Sequence, residues 1–98
     1  MDVSYEYREQ RFIWDENKAI SNVGKHFVAF EAACEVFFDS DSIYVDATDG
    51  DERRSAVIGI TTQARLLMVV HLAKEKDGIR IISARKATRQ EEREYENG

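Results

Sequence analysis

Apolar and polar positions change their period along this chain, and the changes mark the elements. Phe12-Ile13-Trp14 is a short apolar run able to start a sheet. Asp15 follows as an N-cap, its carboxylate placed to accept an N–H from the first turn. Glu16 to Lys25 then sets Ala19, Ile20 and Val23 on one face at helical spacing. A second helix is expected over residues 30–38, where Phe30, Ala33, Cys34 and Phe37 fall at i, i+3, i+4 and i+7. Ala29 occupies its cap position and has no side-chain acceptor, a loss of about 1 kcal/mol relative to serine.

Beyond an acidic loop the period shortens to two. Ile43, Val45 and Ala47 alternate with Tyr44 and Asp46, the pattern of a half-buried strand. Thr48-Asp49-Gly50-Asp51 reads as a turn, and Arg53 to Ile60 as the next strand. Thr61 to Ala64 turns again into a long apolar strand, Arg65 to Ala73. Lys76-Asp77-Gly78 turns into a last strand, Ile79 to Ala84, and Arg85 to Glu96 is rich in helix formers. The expected fold is α+β: two N-terminal helices, a four-stranded antiparallel sheet and a C-terminal helix.

Size and composition narrow the class. The chain has 98 residues, room for one domain with a thin core. Residues 1–11 read as a flexible N-terminal extension of that domain. The opening MDVSYEYREQ is too polar for a signal peptide, and no apolar run reaches the roughly 20 residues of a membrane span. A single cysteine, Cys34, excludes an intrachain disulfide. With only His26 and His71 beside it, far apart in sequence, no metal or cofactor is expected. These features point to the cytoplasm.

Net charge is −5, which argues against nucleic acid, but its distribution is uneven. Residues 39–52 hold six carboxylates and no lysine or arginine, whereas residues 53–98 hold ten basic side chains against six acidic. That division predicts a polarised surface.

Four stretches together carry a resemblance. They are Phe12-x-Trp14-Asp15-x-x-Lys18 with Asn22 and Lys25-His26; Phe30-Glu31-x-Ala33 with Val36-Phe37; Glu52-Arg53 entering a strand that ends near Gly59; and Arg80-Ile81-Ile82-Ser83-Ala84-Arg85-Lys86-Ala87-Thr88-Arg89 with Glu91, Arg93 and Tyr95. From Phe12 onward the chain resembles the BrnT-like toxins of bacterial type II toxin–antitoxin systems, small ribonucleases with a RelE-like fold. The resemblance implies an RNA substrate and a DNA-binding antitoxin that blocks the active face, with a toxin homodimer possible inside the complex. Two positions depart from the family: Phe27 stands where glycine is usual after the Lys-His pair, and Ala29 where serine is usual before Phe30.

Cleavage of RNA by its own 2′-hydroxyl needs no metal, only oriented backbone, proton transfer and cations fixed where charge develops. Arginine binds phosphate oxygens in pairs and keeps its proton. Histidine is the usual proton carrier near neutral pH. Arg80 leaves the last strand on one face, and Arg85, Arg89 and Arg93 recur every four residues. The catalytic candidates are therefore Arg80, Arg85, Arg53, Lys25 and His26. Arg89, His71 (through its alternation with Val69 and Ala73) and Trp14, as a stacking surface, are candidates for holding substrate. Arg89 and Arg93 can instead pair with Glu92, Glu96 and the acidic loop; His26 can simply face the dipole of the first helix; Trp14 suits rather a core or hairpin-covering role. Cys34 reads as core. The leading function is a metal-independent endoribonuclease toxin that cleaves RNA and slows translation. The alternative is a catalytically weak binding module for an antitoxin or RNA, and a third reading is a structural homodimer joined through basic half and acidic loop.

Overall fold

The computed structural model describes residues 1–48, 50, 53–74, 76 and 78–98, with the backbone alone at Lys74. The expected turn residues Asp49, Asp51 and Asp77, and Glu52 of the family pattern, lie outside these. The polar opening residues form a strand. β1 (Asp2–Tyr7) pairs antiparallel with β2 (Gln10–Asp15) across a two-residue turn at Arg8 and Glu9. Both turn residues have positive φ, 52° and 69°, the backbone that matches the twist of a tight hairpin. Val3, Tyr5 and Tyr7 alternate with polar neighbours and pack against the core; Val3 lies opposite Trp14 and Tyr5 opposite Phe12. The period of two was present, but a turn without glycine or asparagine hid it.

After β2 come α1 (Glu16–His26), α2 (Phe30–Ala33), a 3-10 segment (Cys34–Phe38), β3 (Ile43–Asp46), β4 (Ser55–Ile60), β5 (Leu66–Lys74), β6 (Gly78–Lys86) and α3 (Arg89–Asn97). The sheet has six strands in the order β1-β2-β6-β5-β4-β3. All neighbours are antiparallel except β2 and β6, which run parallel through Phe12–Ile79 and Ile13–Arg80. The expected two helices followed by a four-stranded antiparallel sheet is thereby overturned. The N-terminal hairpin adds two strands ahead of the helices and joins the sheet through its one parallel pair. Gly78 makes that join possible: its φ is 97°, and a Cβ there would collide with the Arg11 carbonyl.

Three boundaries shift for physical reasons. The second helix is α-helical for one turn only, because its chain tightens to 3-10 at Cys34. Val36 rather than Phe37 is then the fully buried residue, and its carbonyl would lie 2.9 Å from a Cβ on Gly59. β6 continues to Lys86, opposite Leu67, so Arg85 is a strand residue. α3 starts after Thr88, whose hydroxyl accepts from the Glu91 amide while the Glu91 carboxylate accepts from the Thr88 amide. This reciprocal cap was readable in Thr88-x-x-Glu91.

The core fills the space between the sheet and the layer of α1, α2 and the 3-10 segment. Phe12, Trp14, Phe30, Val57, Leu67, Val69, Ile81 and Ala84 are all buried there. α3 contributes no buried residue. It reaches Arg85 through Glu91, and its end lies beside Ile43. Among the described residues no helix is long and apolar enough to cross a membrane.

Candidate functional site

The parallel pairing of β2 with β6 is brief, and what replaces it builds the site. Beyond Arg80, among the described residues, no strand pairs with the outer edge of β6. Asn22 of α1 fills the gap: its amide nitrogen donates to the Ala84 and Val28 carbonyls, each at 2.9 Å, and its oxygen accepts from the Ala84 amide at 3.1 Å. Asn22 is the one buried residue of α1. The expected apolar face is elsewhere, for Ile20 is 66% and Val23 46% exposed. A buried backbone edge needs hydrogen bonds more than it needs apolar cover, so the asparagine takes the inner position.

β6 also carries an extra residue. Val70 opposes Ser83 and His71 opposes Ile81, which leaves Ile82 as a bulge. A bulge re-aims the side chains around it. Here Ile82 and Ser83 form a shallow cleft with Lys18, Ser21, Asn22, Lys25 and His26 of α1, about 160 Å³ in volume. The structure thus brings Lys25 and His26 to β6 at Ile82 and Ser83; Arg80 and Arg85 do not line this cleft.

Arg80 and Arg85 lie opposite Leu72 and Met68, two positions of equal parity on β5, and so share the sheet face turned away from α1. Those partners lie four residue steps apart, roughly 13 Å at 3.3 Å each. Each guanidinium is held by a carboxylate. Arg80 donates to both oxygens of Asp2, at 2.7 and 3.2 Å. Arg85 donates to both oxygens of Glu91, at 2.8 and 2.9 Å, and to the Lys86 carbonyl. The Glu91 bonds raise the Arg85 pKa above its ordinary value, and Arg85 in turn holds the Glu91 carboxyl below the usual carboxylate range. Forked pairs of this kind are the strong form of a charged hydrogen bond.

The other candidates lie apart. Arg53 is exposed before β4, beside Tyr44, Asp46 and Thr48, and two strands from Arg80. Arg89 is the exposed first residue of α3, not one of a helical stack with Arg85. His71 is 4% exposed and stacks edge-on against Phe37 and Tyr44. It faces the helical layer, opposite to Arg80, because its cross-strand partner is the buried Ile81. Burial lowers its pKa and so favours the neutral ring. Trp14 is 2% exposed between Tyr5 and Phe30 and offers no ring face to a ligand. Strand parity explains both corrections: an odd shift of one position separates His71 and Trp14 from the open face.

Sequence reasoning missed Lys18, Ser21 and Ser83 in the cleft, and Asp2 and Glu91 on the arginines. Asn22 could have been found, since it follows Ala19 by three on the inward face of a helix. Asp2 had no signal, because only the folded hairpin sets it against Arg80.

No curated protein matches the chain. A family model does: that of the ribonuclease toxin BrnT of type II toxin–antitoxin systems, over residues 14–91. That span takes in the α1 cleft, the bulge and both paired arginines, and the chain belongs to the BrnT ribonuclease toxin family of type II toxin–antitoxin systems.

Proposed function

We propose that this ribonuclease toxin cleaves RNA without a metal ion, at the α1–β6 cleft, and slows translation by destroying messages in the cytoplasm. The observation that carries the reading is the meeting of Lys25 and His26 with Ser83 at the β6 bulge, on the strand that carries Arg80 and Arg85. In this reaction the 2′-oxygen bonds to phosphorus and the bond to the 5′-oxygen breaks. The products are a 2′,3′-cyclic phosphate and a 5′-hydroxyl. A proton leaves the 2′-hydroxyl and another reaches the 5′-oxygen; His26 serves one of these transfers, and Lys25 offsets the charge on the pentavalent phosphorane. Arg80 and Arg85 bind phosphate oxygens by exchanging their carboxylate partners for RNA, a swap between acceptors of like geometry.

The partner is an antitoxin, as the family implies; we read it as DNA-binding and as covering this face, with two toxin copies in one complex. The carboxylate pairs and the net charge of −5 favour a second reading, a toxin fold retained for binding with weak catalysis. One experiment separates them: purified protein incubated with RNA in EDTA, beside the Arg80→Ala/Arg85→Ala variant. Cleavage by the wild type, reduced a hundredfold or more in the variant, is expected. Equal rates in both would remove the arginines from the site, and an inert wild type that still binds its antitoxin supports the second reading.

A further inference from the structure

Phe27 ends α1 in a conformation that a phenylalanine rarely adopts. Its φ is 58° and its side chain is 79% exposed, so an aromatic ring is held in water on a left-handed backbone. Such a residue carries a cost of order 1–3 kcal/mol and persists where something else fixes it. Here the Phe27 amide donates to the Val23 carbonyl at 3.0 Å, and the Arg65 guanidinium donates to the Phe27 carbonyl at 3.2 Å.

The surroundings are cationic. Lys25 and His26 precede the ring and line the cleft on β6. On the other side Arg65 and Lys86 line a depression of about 480 Å³ with Ala64, Leu66 and Glu92. Glu35, which reaches the turn before Arg65, is engaged by the Thr62 amide and hydroxyl, both at 2.9 Å. An exposed aromatic ring among basic side chains is the means by which proteins hold single-stranded nucleic acid: the ring stacks on a base and the cations follow the backbone. Ile20 and Val23, exposed on the same helix, would suit a protein partner. Lys25 and His26 before Phe27 in the chain, Arg65 on its carbonyl, and Lys86 in the same depression as Arg65 favour RNA.

We propose that Phe27 is a stacking platform for an unpaired base next to the cut site, with Arg65 and Lys86 binding the phosphates that follow. The proposal rests on the ribonuclease reading and names where its single-stranded substrate lies.

The test uses a labelled 2′-O-methyl single strand, which presents bases and phosphates but no attacking hydroxyl. Phe27→Gly suits the positive φ, so this variant melts no lower than the wild type, yet it binds the strand tenfold or more weakly. Phe27→Trp retains binding. Arg65→Ala/Lys86→Ala makes the slope of log K against log salt shallower by roughly 1.4, two single-strand phosphates at about 0.7 each. Wild-type binding in Phe27→Gly, with RNA cleavage intact, overturns the platform and leaves the ribonuclease reading standing. A wild type that neither binds nor cuts RNA removes both. A defect of Phe27→Gly confined to antitoxin binding assigns the surface to protein and also overturns the proposal.

Discussion

Asn22 on α1 and Glu91 on α3 each tie a helix to β6, the first through two buried hydrogen bonds to the Ala84 backbone, the second through a partly exposed ion pair with Arg85. α1 replaces a missing strand and is part of the sheet's hydrogen bonding. α3 has no buried residue; a reciprocal cap at Thr88, the Arg85 pair and a 2.6 Å bond from the Tyr95 hydroxyl to Asp39 hold it. The contrast teaches that strength of attachment here follows burial. A bond in the interior leaves unsatisfied groups when broken, whereas one at the surface is replaced by water. Of the candidate residues, Lys25 and His26 therefore sit on the helix tied through the interior, and Arg85 pairs with the helix held at the surface.

The hardest test of the contrast is Asn22→Ala. It strands the Ala84 amide and two carbonyls, and stability should fall by about 3–4 kcal/mol in urea melts. A fall under about 1 kcal/mol would mean that water already serves the β6 edge.

Acid should act next, and on α3 before α1. Arg85 holds the Glu91 carboxyl low. Burial pushes the Asp39 carboxyl up, but hydrogen bonds from Tyr95 and from the Asp41 and Ile60 amides outweigh it and leave that pKa lowered. A carboxylate with a depressed folded pKa contributes stability that is present above its ordinary pKa and lost as pH falls through the folded value. Below the ordinary carboxylate range, amide exchange in residues 89–97 should therefore rise while the Ala84 amide stays protected. Simultaneous loss of protection in both regions would erase the distinction. Tyr95 behaves in the opposite sense: its bond to Asp39 raises its pKa to about 12, so its contribution is full at neutral pH and disappears as pH rises through that value.

Glu91→Gln should cost about 1–2 kcal/mol, felt mainly as fraying of α3, since it weakens both the cap and the Arg85 pair. If the proposed exchange of carboxylate for phosphate operates, the same variant binds RNA more tightly than the wild type; unchanged binding would show that Glu91 does not compete with substrate. Tyr95→Phe is the mildest change, about 1 kcal/mol or less by thermal melting, with activity unaltered.

Much of the C-terminal sheet followed from alternation: residues 43–46, 55–60, 66–74 and 78–86 lie close to the strands expected. Asp15 caps α1 through the Lys18 amide, and Ala29 leaves α2 without a side-chain cap, both as its residue type required. The hairpin of residues 2–15 was overlooked because its turn uses Arg8 and Glu9, whose positive φ no residue preference announces. For the candidate site, Lys25 and His26 could be proposed from the chain, and the cleft that joins them to Ser83 could not. The bulge at Ile82 depends on how β5 and β6 align, a property of two strands rather than of either.

By itself the sequence determined the local matters: where α1 caps, where the period is two along the later strands, which residues carry charge, and to which family the chain belongs. Those depend on interactions within a few residues. The tertiary structure alone decided that β2 runs parallel to β6, that Asn22 closes the edge, that Asp2 and Glu91 occupy the two arginines, and that His71 and Trp14 face inward. These depend on which surfaces meet, and one step of strand register moves a side chain from one face of the sheet to the other.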